Sequence, residues 1–149
     1  MSLKTQIEAN IKQAMLARDQ ARLLALRAIK SAILLEETSG AHTGELSADA
    51  EAKILMKAVK QRKDSAEIYR TQGRSDLLDK ELAEVAVIEE FLPKQLSEDE
   101  LKAVLQAIIA RVGASVPSDM GKVMGVATKE LAGKAEGKTV SALVKQLLG

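Results

Sequence analysis

Several residue types are scarce or missing from this chain of 149 residues. Cysteine and tryptophan are absent, and there is one histidine, one tyrosine and one phenylalanine. Without cysteine the chain has no disulfides, thiolate metal sites or cysteine nucleophiles, which fits a reducing compartment. Because Tyr69 and Phe91 are the only large aromatic side chains, the core must be aliphatic. The same scarcity argues against sequence-specific recognition of single-stranded bases, which depends on aromatic stacking.

Long apolar runs are also missing. None approaches the ~18 residues that a membrane span requires. The first residues do not show the basic-then-apolar order of a signal peptide, because Ile7, Ile11 and Met15 are separated by polar residues. We therefore expect a cytoplasmic protein with no membrane partner.

The abundant residues favour helix. Hydrophobic residues make up 46% of the chain and charged residues 29%, as in a folded rather than a disordered protein. Alanine, leucine, lysine, glutamate and glutamine are strong helix formers, so the predicted fold class is all-α. The length supports one domain or two small ones. The predicted division is an N-terminal helical domain over residues 1–93 and a helical tail domain over residues 94–149.

The N-terminal domain is predicted to contain four helices, which start at Ser2, Asp19, Ser47 and Ser75. The first two helices could instead form one bent rod. Gly73 should end the third helix and Pro93 the fourth. Because only a few residues join the third and fourth helices, they should pack as a long antiparallel pair. The apolar stripes of the four helices include Met15, Leu34, Ile68 and Leu82.

Charges of opposite sign are segregated along the third and fourth helices. Six basic residues fall between positions 53 and 70: Lys53, Lys57, Lys60, Arg62, Lys63 and Arg70. Six acidic residues fall between positions 76 and 90: Asp76, Asp79, Glu81, Glu84, Glu89 and Glu90. The pattern predicts neighbouring helices whose complementary charges meet along the seam, with a functional basic patch as the alternative. The net charge of +1 by itself predicts no polyanion partner.

No arrangement of side chains indicates a self-contained active site. His42 lies in a loop over residues 38–46 with no carboxylate or second histidine at ligand spacing, so we expect it to be solvent-exposed. Glu81 and Glu84 share a helix face, but no Glu-x-x-His motif accompanies them to complete a metal site. No serine has a histidine placed to act as its base. We therefore expect no catalytic residues, no metal and no cofactor.

The tail domain is predicted to be a small three-helix unit. The segment Pro93-Lys94-Gln95 is the best candidate for a hinge before it. Ser97 and Glu100 should form a capping box at the start of the first tail helix. Ser118 is predicted to cap the second helix. Residues 133–137 should form a turn before the last helix.

The most specific stretch of the chain alternates glycines with lysines in this tail. Gly121 and Gly125 lie one turn apart on a common helix face, where another helix or a ligand backbone can approach closely. Lysines beside glycine turns and a helix N-terminus can hold a phosphate backbone. The candidate RNA-binding or docking residues are Gly121, Lys122, Gly125, Lys134, Gly137 and Lys138. Ordinary solubility charge is the alternative explanation of the lysines.

The residues Gly137-Lys138-Thr139 resemble the end of a nucleotide-binding P-loop. The motif needs glycine at position 132, which is alanine, and Gly133 comes one residue too late. It also needs a preceding strand, and none is predicted. Nucleotide hydrolysis is therefore not expected.

Several motifs together resemble the GatB/YqeY family. In the tail they are Asp119-Met120-Gly121-Lys122-Val123-Met124-Gly125, Lys134-Ala135-Glu136-Gly137-Lys138, and Val140-Ser141 with Val144-Lys145. Upstream they are Arg62-Lys63-Asp64-Ser65, Gly73-Arg74-Ser75-Asp76-Leu77, Lys80-Glu81, and Phe91-Leu92-Pro93-Lys94-Gln95-Leu96. Phe91 and Glu136 replace the tyrosine and aspartate that the family often has, and both changes keep the chemistry. The resemblance covers nearly the whole chain, which is similar to a free-standing YqeY-like protein.

The resemblance implies an all-helical N-terminal part and a tail similar to the C-terminal domain of the GatB subunit of the glutamine-dependent amidotransferase. That enzyme converts Glu or Asp misacylated on tRNA to Gln or Asn, and its tail domain contacts tRNA. The family is thereby linked to carbon–nitrogen ligation with glutamine as amido donor. This chain has no room for GatB's catalytic portion and no identifiable glutaminase nucleophile, so we do not expect it to catalyse amide transfer alone.

Three functions remain open at this point. The leading hypothesis is a non-catalytic accessory protein associated with tRNA or another RNA, which docks through Lys122, Lys134 and Lys138. The second is a protein-interaction module in which Gly121 and Gly125 receive a partner helix, for example in an amidotransferase assembly. The third is an enzyme subunit that contributes to amide transfer. The sequence predicts no particular oligomeric state.

Overall fold

The computed structural model describes residues 2–40 and 45–149. Within these ranges the chain forms seven α-helices and a short 3₁₀ turn and contains no strand, which confirms the all-α prediction. The helices are α1 Leu3–Ala17, α2 Gln20–Glu37, α3 Ala48–Thr71, α4 Ser75–Glu89, α5 Glu98–Val112, α6 Met120–Glu130 and α7 Gly137–Leu148. None of these helices is long and apolar enough to cross a membrane. The predicted exposure of His42 concerns a residue outside the described ranges.

The chain divides into two compact units, Met1–Leu92 and Pro93–Gly149. In the first unit, α1 and α2 are separate helices rather than one bent rod, because Arg18 takes a left-handed conformation with φ of 58°. The helices run antiparallel: Lys4 near the start of α1 pairs with Glu37 at the end of α2 at 3.2 Å. The predicted caps Ser2, Asp19 and Ser47 each accept a hydrogen bond from a backbone N–H of the first turn.

The helices α3 and α4 form the long hairpin of this unit. Gly73, with φ of 69°, lies in the short connection, where a left-handed residue ends α3. The hairpin packs against α2, whose Leu26, Ile29 and Ile33 are almost fully buried, together with Ile88 of α4. These aliphatic side chains form the core of the unit.

Four residues predicted to lie on apolar stripes are substantially exposed instead. Their exposed fractions are 55% for Met15, 40% for Leu34, 56% for Ile68 and 40% for Leu82. Met15 and Leu34 each lie beside a buried residue of the same helix. Leu34, for example, follows the buried Ile33. In a bundle of this size, the neighbouring helices cover only part of each helix's apolar face.

The predicted seam of complementary charges between α3 and α4 is wrong except at one position. Within the described residues the ion pair that joins the two helices is Arg62–Glu84, with 3.7 Å between Nε and Oε2. Glu90 pairs instead with Arg22 of α2, at 2.7 Å. Antiparallel helices meet through their apolar stripes, and this contact leaves most charged side chains on the outer flanks.

The second unit contains α5, α6 and α7, which enclose a separate aliphatic core centred on Leu105, Ile108, Val123 and Val144. The capping box at its start is confirmed: Ser97 and Glu100 each accept a hydrogen bond from the other's backbone N–H at 3.2 Å. The 3₁₀ turn before α6 also contacts α7, so α7 runs back along α6.

The predicted cap at Ser118 is wrong. Residues Pro117–Asp119 form the 3₁₀ turn, and α6 begins at Met120 with Asp119 in the N-cap position. The Asp119 carboxylate does not cap α6 but accepts hydrogen bonds from the N–H groups of Ser115 (3.0 Å) and Val116 (3.3 Å). Proline at position 117 favours this tight turn because its φ is fixed and it has no N–H to donate.

Candidate functional site

The six residues predicted to act in docking are all exposed, but they form two groups. Gly121, Lys122 and Gly125 lie in α6, whereas Lys134 lies in the turn between α6 and α7, and Gly137 and Lys138 are the first two residues of α7. Because α6 is 11 residues long, it spans about 16 Å. A ligand that touches both groups must therefore be extended.

The backbone of the lysine turn (residues 133–138) is fixed by the segment that enters α5. Gln95 donates a hydrogen bond from Nε2 to the carbonyl oxygen of Gly133 at 2.6 Å, and the Leu96 N–H donates to the carbonyl oxygen of Lys134 at 3.0 Å. Gly133 has a φ of 77°, which glycine adopts without strain. The side chain of Lys134 is thus carried on a backbone that accepts two hydrogen bonds from one neighbouring segment, while its charge remains in solvent.

The helix α7 starts inside this turn, and its positive end has no side-chain cap. Glu136 occupies the N-cap position, but its carboxylate makes no capping hydrogen bond, and no acidic residue follows in the first turn. Val140 is the first residue whose N–H bonds within the helix, to the carbonyl oxygen of Glu136 at 3.0 Å. The backbone N–H groups of Gly137 and Lys138 therefore precede the helical ladder. A helix N-terminus with an adjacent lysine favours an anionic group.

A cleft of about 420 Å³ lies beside the lysine turn. Its floor is apolar and includes Leu101 and Leu143, while Lys134, Glu98 and Glu136 stand on its rim. The rim thus carries charges of both signs. The cleft is therefore less selective for an anion than the outer side of the turn.

The glycine pair on α6 leaves an open notch. A Cβ atom added at Gly121 or at Gly125 would meet no other group within 4 Å. These glycines are therefore not required for close packing inside the chain, and the space they leave faces solvent. Lys122 lies next to them, and its charge contributes to a lowered pKa of Asp119, whose main causes are the hydrogen bonds from Ser115 and Val116.

Gln95 was missed as a site residue by sequence reasoning, which placed it in a hinge. Its side chain instead ties the start of the second unit to the lysine turn. The partners are 38 positions apart, and a single glutamine after Pro93 belongs to no periodic pattern. The sequence therefore contains no local signal for this contact.

The described residues can be compared with the two other kinds of site considered from the sequence, a metal site and a nucleotide-binding P-loop. Glu84 does not pair with Glu81 around an open site, because its carboxylate faces Arg62 in the α3–α4 seam. No group of three or more His, Cys, Asp or Glu side chains placed to hold a metal ion occurs among the described residues. The turn before α7 follows a helix rather than a strand, unlike a P-loop.

The described residues form an all-helical fold whose second unit carries lysines beside glycines on a hydrogen-bonded turn. A family model described as "Yqey-like protein" matches residues 4–148. The chain therefore belongs to the YqeY family, as its motifs predicted.

Curated relatives extend the comparison to fungal proteins named "Altered inheritance of mitochondria protein 41, mitochondrial". The protein from Lachancea thermotolerans is 31% identical over 114 residues, which cover 75% of this chain and 60% of the relative. The Clavispora lusitaniae protein is 29% identical, covering 76% of this chain and 66% of the relative. The Kluyveromyces lactis protein is 28% identical, covering 93% and 72%. The match thus spans 60% and 66% of the first two relatives' length.

Proposed function

We propose that this protein is a non-catalytic accessory protein that binds tRNA or another structured RNA through its second unit. The observation that carries the proposal is the lysine turn, where Lys134 and Lys138 flank an uncapped helix N-terminus on a hydrogen-bonded backbone. Such a turn can hold phosphate groups through charge and through backbone N–H donors. A rigid backbone reduces the entropy that is lost when the site binds.

The charge distribution of the second unit supports this proposal. Residues 93–149 contain eight basic and six acidic residues, a net charge of +2. Within the described residues, none of the five lysines of α6, α7 and the turn between them forms an ion pair: Lys122, Lys129, Lys134, Lys138 and Lys145. Of the acidic residues, Glu130 pairs with Arg111 at 2.6 Å and Asp119 closes the turn before α6, whereas Glu136 lies within the lysine turn. These lysines are therefore available to phosphates.

RNA shape rather than base sequence is the expected target. The second unit contains no phenylalanine, tyrosine, tryptophan or histidine, so it has no aromatic ring on which a base could stack. Lysine contacts to phosphates carry no sequence information. We therefore expect similar affinity for tRNAs of different sequence and weaker binding at high salt.

A second candidate function is docking of a partner protein on α6. The observation that favours it is the open notch at Gly121 and Gly125, where a partner helix can approach closely. The partner would belong to an amidotransferase or another assembly, and carbon–nitrogen ligation with glutamine as amido donor would then be the activity of that assembly. Amidation by the purified chain alone would contradict the non-catalytic role.

Binding of total tRNA by the purified chain, measured by fluorescence anisotropy at several salt concentrations, tests the proposal. Each phosphate contact contributes roughly one unit to the slope of log affinity against log salt. We expect a slope of at least two, from Lys134 and Lys138. No binding even at low salt would contradict the proposal. A protein partner that co-purifies after nuclease treatment and at high salt would favour the second candidate.

A further inference from the structure

The outer face of α3 carries four lysines that the tail site does not include. Lys53, Lys57, Lys60 and Lys63 follow one another at spacings of four, three and three, and all four side chains are exposed. This lysine stripe extends about 15 Å along the helix at 1.5 Å per residue. Leu55 and Val59, on another side of α3, are buried.

The lysines of the stripe take no part in the ion pairs found among the described residues of the first unit. Arg62, between them in sequence, instead turns inward to Glu84. Of the nearby carboxylates, Glu51 accepts the Leu3 N–H at 2.6 Å and Glu67 pairs with Arg70 at 2.9 Å, while Asp49 and Asp64 are exposed beside the stripe. Lysines spaced three or four residues apart on one helix repel each other. A bound polyanion would relieve this repulsion.

We propose that the lysine stripe of α3 is a second RNA-binding surface, which contacts the phosphate backbone independently of the tail. The proposal rests on the proposed function, because it assigns a further contact to the same RNA partner. Phosphates recur along a strand at a spacing similar to one helical turn, so a row of lysines one turn apart can contact successive phosphates. Such contacts add to affinity and to salt dependence without adding base specificity.

An RNA backbone fits the stripe better than a membrane surface does. A helix that lies on a bilayer inserts an exposed apolar face beside its basic residues. On α3 the apolar residues Leu55 and Val59 are instead buried against neighbouring helices, and Ile68, near the end of the helix, is exposed.

Matched double substitutions in the full chain test the proposal. Lys57→Gln/Lys60→Gln removes two charges from the stripe, and Lys12→Gln/Lys80→Gln removes two exposed, unpaired charges of the same unit on α1 and α4. Binding of total tRNA is measured against salt for both variants and for Lys134→Gln/Lys138→Gln. We expect the stripe variant to lose roughly two units of salt slope and the matched control to bind like the unmodified chain.

The outcomes separate this inference from the proposed function. A stripe variant that binds tRNA with the slope and affinity of the Lys12/Lys80 control overturns the second surface, while loss of slope in the Lys134/Lys138 variant still supports the tail site. An unchanged tail variant together with a weakened stripe variant overturns the tail site alone. If the stripe variant loses binding to phosphatidylserine vesicles but keeps its tRNA affinity, the stripe is a membrane contact and the inference is wrong.

Discussion

Gln95 Nε2 donates a hydrogen bond of 2.6 Å to the carbonyl oxygen of Gly133 across 38 positions of sequence. The bond joins the segment that enters α5 to the turn that carries Lys134. The next residue adds a parallel link, from the Leu96 N–H to the Lys134 carbonyl oxygen. The position of the lysine turn therefore depends on a residue that lies outside it.

Removal of the Gln95 side chain should loosen this turn. In Gln95→Ala the Gly133 carbonyl loses its partner, and we expect the free energy of unfolding to fall by about 1 kcal/mol. Gln106→Ala, at an exposed position of α5, is the control. Chemical denaturation of both variants measures the difference, and equal stability of the two would show that the bond does not hold the turn.

The Arg62–Glu84 pair should be the most consequential ion pair of the first unit. The Arg62 side chain is 17% exposed and that of Glu84 11%, and the Arg62 Nε is buried without a hydrogen-bond partner. Glu84→Ala leaves this guanidinium without its counter-charge, so we expect a loss of about 3 kcal/mol. Glu67→Ala breaks the exposed pair with Arg70 and should cost less than about 1 kcal/mol. Similar losses in the two variants, measured by urea unfolding, would contradict this assignment.

Asp119 should give the second unit an acid-sensitive contribution to stability. Hydrogen bonds from the Ser115 and Val116 N–H groups, with a smaller effect of Lys122, lower the pKa of this carboxyl in the folded state. A lowered folded-state pKa stabilises the fold above the unfolded value of about 3.9, and this effect is lost as pH falls through the folded value.

We therefore expect Asp119→Asn to be less stable than the unmodified chain at pH 7, with the difference closing below about pH 4. Thermal unfolding at several pH values measures the difference. Asp79→Asn, at an exposed position of α4, controls for the loss of one negative charge. A difference for Asp119→Asn that stays constant down to pH 3 would argue against the charged hydrogen bonds as its cause.

The glycines of the tail should respond to substitution in opposite ways. Gly125 is helical and a Cβ there meets nothing, so Gly125→Ala should stabilise the second unit by up to about 1 kcal/mol. Gly113 ends α5 with a φ of 72°, and Gly113→Ala should destabilise it by about 1 kcal/mol. If Gly125→Ala folds more stably but loses a protein partner, the notch is a docking surface. A destabilised Gly125→Ala would show that the notch is needed within the chain.

Much of the fold could be predicted from local sequence signals. The caps at Ser2, Asp19 and Ser47 and the capping box of Ser97 and Glu100 are short-range hydrogen bonds between residues three positions apart. Composition alone indicates helix. These features depend on neighbours in sequence, so the structure confirms them.

The predictions that were wrong or missing concern contacts between residues distant in sequence, or alternative hydrogen bonds within one turn. Ser118 does not cap α6, because Asp119 accepts hydrogen bonds from the Ser115 and Val116 N–H groups and a 3₁₀ turn forms instead. The charge seam reduced to Arg62–Glu84 because periodicity does not tell which flank of a helix faces its neighbour. The Gln95 contact had no local signal. The sequence indicated which lysines are candidates for binding, but it did not predict the hydrogen bonds from Gln95 and Leu96 to the backbone of the lysine turn.

The most direct test of the central claim is the salt dependence of tRNA binding by the Lys134→Gln/Lys138→Gln variant. Lys94→Gln/Lys102→Gln removes two exposed charges of the same unit outside the lysine turn and is the matched control. If the turn holds phosphates, the first variant binds more weakly than the control, with a slope lower by roughly two units. Equal affinities and slopes for the two variants would contradict the claim.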